Sequence, residues 1–159
     1  MAGIRRATAR DAAAIADLMQ LKRLRYAAYQ PTFWRVAPDA AQRQRPFLRE
    51  LLGRPDTIAF VEESAEDCVT AALIARVAAA PGVYAPGGAT LDIDDFWVVD
   101  ERAWETTGRA LLDRAAQEAG ERFGAVQVVV VCAQLDEPKR AMLRSAGLTV
   151  ASEWWTRPL

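Results

Sequence analysis

Apolar positions fall into two rhythms along the chain, one with a spacing of three or four and one that alternates or runs unbroken. Ile4 to Thr8 reads as a short strand, and Arg10-Asp11 precedes Ile15, Leu18, Met19, Leu21 and Leu24 at helical spacing, which predicts a helix from Asp11 to Tyr29. Pro31 interrupts that pattern. Pro38-Asp39 opens a second helix, whose apolar residues Phe47, Leu48, Leu51 and Leu52 end at Gly53. Thr57 to Glu62 and Cys68 to Ala78 read as strands joined through the acidic turn Glu63-Ser64-Ala65-Glu66-Asp67, a hairpin signal. Pro81-Gly82 and Pro86-Gly87-Gly88 punctuate the chain before a long strand from Thr90 to Val99. Leu111, Leu112, Ala115, Ala116, Ala119 and Phe123 form the apolar stripe of a third helix. The near-continuous run Val126 to Val131 predicts a strand buried on both faces in the sheet centre. A last helix ends at Ala146-Gly147-Leu148, and a final strand would complete the order βααβββαβαβ. The expectation is an α/β fold with a mixed, mostly antiparallel central sheet flanked by helices. No repeat or long linker divides residues 1–159, so one domain is expected.

Charge and residue types narrow the chemistry. The 159 residues are 52% apolar, enough for a sizeable core, and 20 basic side chains balance 21 acidic ones. That balance disfavours nucleic acid and anionic membrane as partners and leaves small molecules or proteins. Met1-Ala2-Gly3 leads directly into charged residues, and no apolar run approaches the roughly 20 residues that span a bilayer. A cytoplasmic location is expected. Histidine is absent, which removes Ser-His and Cys-His catalysis and the common histidine-containing zinc sites, so no metal is expected. Cys68 and Cys132 match no metal or redox spacing and read as buried free thiols.

The region from Leu91 to Leu148 carries the candidate chemistry. Leu91-Asp92-Ile93-Asp94-Asp95-Phe96-Trp97-Val98-Val99 is an acidic, apolar strand, followed by a turn and by Thr106-Thr107-Gly108-Arg109-Ala110-Leu111-Leu112, which reads as a helix opening. A strand and a helix complete the unit. Unpaired amides at a helix N-terminus, with the positive end of its dipole, favour phosphate, and glycine permits close approach. Adjacent carboxylates can attract an ammonium group and accept its proton. Asp92 and Asp94, alternating with Leu91 and Ile93, also read as one solvated strand face. Thr106 also reads as a helix cap, and Arg109 as a surface residue.

In order and spacing this region resembles the acyl-CoA-binding half of the GCN5-related N-acetyltransferases, without a gap from Asp92 to Leu112. The resemblance implies that family's acyl-CoA N-acyltransferase fold and acetyl-CoA as cosubstrate. It places Thr106, Thr107, Gly108 and Arg109 at the pyrophosphate, although Ala103 and Thr106 stand where the family has a basic or amide residue and its first glycine, and Glu105 adds repulsion. It places Asp94, with Asp95 beside it, at the acid that helps deprotonate an amine. Val98 and Val99 fall where the family strand offers a free amide to the thioester carbonyl and pantetheine, a role that needs no particular side chain. Ordinary strand core accounts equally for two valines. Asp136-Glu137-Pro138 parallels the family's Asn-x-Pro, with Gly147-Leu148 for its terminal Gly-Phe. Leu143 occupies the place of the tyrosine that protonates the leaving thiolate, so Ser145, Tyr84 or water would have to serve.

The implied function is N-acetylation of a small amine by direct transfer. Two alternatives remain open: a non-catalytic acyl-CoA-binding or regulatory module, and a dimeric interaction protein without a nucleotide ligand. Tyr26, Tyr29, Phe33 and Trp34 read as either acceptor-pocket walls or core packing. Trp154-Trp155 reads as closing the last strand or as a homodimer contact.

Overall fold

The computed structural model describes residues 3–159. Five strands form one sheet in sequence order: β1 (Gly3–Arg6), β2 (Thr57–Glu63), β3 (Val69–Ala78), β4 (Ala89–Val98) and β5 (Ala125–Val130). The first three junctions are antiparallel and β4 pairs with β5 in parallel, giving the mixed, mostly antiparallel sheet expected. A parallel pair requires a crossover, and α3 (Arg109–Phe123) supplies it. Helices α1 (Ala12–Tyr29) and α2 (Ala40–Leu51) intervene between β1 and β2, and α4 (Glu137–Ser145) follows β5. Both α1 and α3 pack on β3. Ala71 to Ala75 are buried without interruption, as a strand covered on both faces must be, so the two helices lie on opposite sides of the sheet.

The buried stripe of α1 is Ile15, Leu18, Met19, Lys22 and Tyr26, at spacings of three and four. Leu21 and Leu24, expected on that stripe, are exposed, because Lys22 holds the core-facing position between Leu18 and Tyr26. In α2 the core-facing residues are Gln44, Leu48 and Leu51, while Phe47 points to water.

Three further expectations are corrected. The chain from Gly147 to Leu159 forms no strand, and from Thr149 onward every residue is exposed, so the expected last β element is missing. Consequently β5 is an edge strand instead of a central one, with Val126 and Val129 exposed. A short apolar run reports high β propensity and cannot by itself report a neighbour on both sides. Cys68 is exposed in the turn before β3, and Cys132 is partly buried. Asp67, with φ of 57°, turns the chain just ahead of Cys68, whose N–H and carbonyl bond back to Ser64 and hold the residue at the surface.

Candidate active site

The site begins where β4 and β5 part. Their ladder ends at Ile93 opposite Val130, closed by the Val131 N–H donating to the Ile93 carbonyl at 2.9 Å. Beyond it β4 continues to Val98 beside β3 alone. On β3, Ala75 faces Ile93 and Ile74 faces Asp95, which leaves Asp94 as an extra, bulged residue. A bulge turns the strand and redirects the side chains around it. After it, Phe96, Trp97 and Val98 are all buried.

The pleat sets which backbone groups enter the split. The Val99 N–H donates to the Thr70 carbonyl of the β3 side at 3.0 Å. Alternation then directs the backbone groups of Val98 and Phe96 away from β3 and into the split. Of the two valines where one free amide was expected, Val99 gives its N–H to the sheet, and alternation turns the Val98 N–H away from β3, toward the gap.

The two acids of the bulge have different surroundings. The Asp94 side chain is 76% exposed, with Lys22 Nζ 4.0 Å from its Oδ1. Asp95 turns inward, where its Oδ1 accepts from Lys22 Nζ at 3.2 Å and its Oδ2 accepts from Gln44 Nε2 at 3.2 Å. Lys22 Nζ also donates to the Asp94 carbonyl at 2.7 Å, so α1 pins the bulge through one buried ammonium. Asp95 is the counter-ion of that ammonium, and Asp94 is the carboxylate available to a ligand.

The split has a second lysine. Lys139 is fully buried, and its Nζ donates to the Val131 carbonyl at 2.8 Å and to the Phe96 carbonyl at 3.3 Å. It thus occupies acceptors on β4 and on the chain leaving β5 where the ladder has stopped. The ammonium lies 5.2 Å and 5.6 Å from the ring centroids of Phe96 and Trp104, a favourable placement for a cation in an apolar site. Burial, the largest influence, lowers its pKa to about 8. The start of α4 folds the lysine inward. Asp136 caps the helix by accepting the Lys139 N–H, Pro138 fits the first turn, and the Tyr26 hydroxyl donates to Asp136 Oδ2 at 3.1 Å. Burial raises the Tyr26 phenol, and the nearby Cys132 and Asp136 raise it further. Burial also raises the Cys132 thiol, with Lys139 opposing.

Neither lysine was singled out from the sequence. An apolar stripe does not register a charged residue, although Lys22 continues the spacing of Ile15, Leu18 and Met19, and Lys139 lies three residues before Met142. A lysine at a core-facing helical position was the available signal.

The expected phosphate cradle is built differently from the simple helix opening. The helical run starts at Glu101, where Asp100 caps it, continues through a π-helical turn from Trp104 to Gly108, and only then becomes α3. Thr106 therefore lies within a helical run and does not cap it. Its hydroxyl reaches the Ala103 carbonyl at 3.4 Å. Thr107 is buried and donates to Glu62 Oε1 at 2.8 Å. Arg109 pairs with Asp113 at 2.9 Å. Gly108 faces Trp104: a Cβ there would stand 2.6 Å from the indole ring. Its lack of a side chain is required by the core.

Around the split, Tyr26, Trp34, Trp97, Trp104 and Phe96 form an edge-to-face chain with centroid separations of 4.9 to 6.4 Å. Phe33 extends it to Trp154. Tyr84 is exposed on the β3–β4 connection, and Ser145 Oγ already bonds Glu105 and the Met142 carbonyl. Leu143 packs into the core. Leu143→Tyr should therefore cost about 1 to 3 kcal/mol through extra volume and an unpaired hydroxyl, read as a lower midpoint in thermal or urea denaturation. Among the described residues no cluster of His, Cys, Asp and Glu is placed to hold a metal, and no helix is long and apolar enough to cross a membrane.

Comparison with known proteins adds the fold's name. No family model and no curated protein matches the sequence. Among solved structures, a tetramutant of a Bacillus halodurans protein superposes with a TM-score of 0.81 at 15% identity, covering 99% of each chain. A predicted acetyltransferase with acetyl-CoA from Clostridium acetobutylicum gives 0.76 at 16% identity, covering 99% of this chain and 96% of that one. An aminoglycoside antibiotic 6'-N-acetyltransferase from Acinetobacter baumannii gives 0.71 at 12% identity, covering 100% of this chain and 99% of that one. The chain has the fold of the GCN5-related N-acetyltransferases.

Proposed function

We propose that the chain is an acetyl-CoA-dependent N-acetyltransferase that transfers the acetyl group directly to a small amine. The observation that carries this reading is the split itself: a bulged β4 leaves β5, the Val98 N–H faces the gap, and a carboxylate stands exposed at the bulge. An amide aimed into a gap between two strands is a donor suited to an amide-bearing arm and to a thioester carbonyl. At the other end, Thr106 and Arg109 are the side chains left to meet phosphate, with Thr107 and Gly108 supporting the helix behind them. Asp136 serves by capping α4, so its role toward the cosubstrate is indirect. Asp94 would attract the incoming ammonium and take its proton, directly or through water. Asp95 holds Lys22 beside it.

A neighbour solved with acetyl-CoA supports the cosubstrate, and aminoglycoside acetyltransferases among the neighbours support an amine acceptor on a small molecule. The test is calorimetry with acetyl-CoA and CoA, followed by thiol release over an amine panel. Asp94→Asn should slow turnover by about a hundredfold while acetyl-CoA affinity stays near that of the parent, because the carboxamide keeps the shape and loses the base. Unchanged turnover would remove Asp94 from the mechanism. Binding without turnover on any amine would favour the non-catalytic acyl-CoA module.

A further inference from the structure

A thioester that yields its acyl group leaves a thiolate, and the position where a tyrosine was expected holds Leu143, packed in the core. The other hydroxyls are poorly suited to replace it. Ser145 Oγ is engaged by Glu105 and by a backbone carbonyl, Tyr84 is exposed on a distant connection, and the Tyr26 hydroxyl is given to Asp136. The acidic group that does lie in the split is the ammonium of Lys139.

We propose that Lys139 is the proton donor to the departing thiolate, an assignment that rests on the acetyltransferase reading above. Three observations carry it. Its Nζ bridges the Val131 and Phe96 carbonyls at the point where the two strands separate, beside the Val98 N–H that faces the same gap. An ammonium has three donors, and these carbonyls take two, so one remains for a sulfur entering the split. The site is fully buried among Phe96 and Trp104, where an unscreened cation stabilises an adjacent anion most strongly. Burial also brings this ammonium to a pKa of about 8, close to that of an ordinary thiol at about 8.5, so transfer to sulfur is nearly balanced.

In the step itself the amine nitrogen bonds to the thioester carbon and the C–S bond breaks with its electron pair left on sulfur. The sulfur takes a proton from Lys139 Nζ. The proton shed by the new amide nitrogen passes to water, and Lys139 regains its own from solvent on product release. The charged or titratable groups facing Lys139 are Cys132 on the chain after β5, Asp136 at the start of α4, Lys22 and Tyr26 on α1, and Asp94 on β4.

The test uses the full chain and starts with CoA, without turnover. Calorimetry at neutral pH in buffers of different ionisation enthalpy counts protons released on binding. The parent should release about one per CoA, because the bound thiol and Lys139 then share a single proton between sulfur and nitrogen, and Lys139→Met should release none. With acetyl-CoA and an accepted amine, Lys139→Met should lower kcat by about a hundredfold with little change in acetyl-CoA affinity. Lys139→Arg keeps the charge and carbonyl bridges and does not give up a proton; it should still bind CoA with proton release, yet lose turnover like the methionine variant. The parent rate should fall above pH about 8, and this limb should vanish in Lys139→Met and persist in Cys132→Ser. Parent-like proton release and turnover in Lys139→Met would overturn the assignment while leaving the acetyltransferase reading intact. So would a faster variant, which would make the lysine a plug. A parent that neither binds CoA nor turns over would overturn that reading, and this assignment with it.

Discussion

Trp104→Ala should destabilise the protein by about 3 to 5 kcal/mol, lowering Tm by roughly 10 °C, the largest effect expected from any single truncation in the chain. The indole is almost wholly buried in the π-helical turn and touches three parts of the site at once. Its ring lies edge-on to Phe96 and Trp97 of β4, it flanks the Lys139 ammonium, and it packs against the bare Cα of Gly108. Truncation would leave a cavity and remove an aromatic face from a buried cation. Gly108→Ala approaches the same contact from the other side, because the added carbon meets the ring at 2.6 Å. Trp155→Ala is the matched control: at 86% exposure its loss should leave Tm unchanged. Thermal denaturation followed by circular dichroism decides the matter, and a loss under 1 kcal/mol for Trp104→Ala would mean that the turn repacks without its indole.

Asp95→Ala should cost about 3 kcal/mol, more than removal of the neighbouring Asp94 carboxylate. Lys22 is buried in α1, and without Asp95 its ammonium keeps the Asp94 carbonyl at 2.7 Å and, 4.0 Å away, only the exposed Asp94 carboxylate. Breaking a buried pair from one side leaves a charge without compensation, which costs more than the pair contributes. Removing Lys22 as well should recover much of the loss, so Lys22→Met with Asp95→Ala should melt above Asp95→Ala alone. Urea denaturation of the two single variants and the double variant measures this. A double variant as unstable as Asp95→Ala would assign the loss to Gln44, whose Nε2 shares the same carboxylate.

Much of the architecture was legible because most elements obey local rules. The hairpin of β2 and β3, the Pro31 and Pro38-Asp39 boundaries and the Asp136-Glu137-Pro138 helix start each follow from turn and capping chemistry. Where the reading failed, the deciding fact lay in another part of the chain. Val126 to Val131 reads the same whether a strand covers one edge or both, and only the unpaired tail makes β5 an edge. Val98 and Val99 read alike as the source of a free amide, and only the bond from the Val99 N–H to Thr70 separates them. Gly108 was placed at the pyrophosphate by resemblance, and the structure adds a reason for its missing side chain that the sequence did not show, the Trp104 ring. Lys22 and Lys139 were passed over since the physics that puts them inside is not amphipathicity. Each is retained by carbonyls that the bulge and the parting strands leave without backbone donors.

The exposed edge of β5 bears on how the protein behaves when concentrated. Edge strands that resist self-association commonly carry a lysine, a proline or a bulge; Ala125-Val126-Gln127-Val128-Val129-Val130 contains no charge and no proline, and its one irregularity, the extra residue Val126, lies at its start and leaves Gln127 to Val130 regular. Its outer row of N–H and C=O groups is a template for any extended chain, and a neutral, valine-rich segment is the composition that stacks most readily into intermolecular sheet. Precipitation should therefore start at this strand before any other. A charge at Val129, whose side chain already meets water, would blunt the edge.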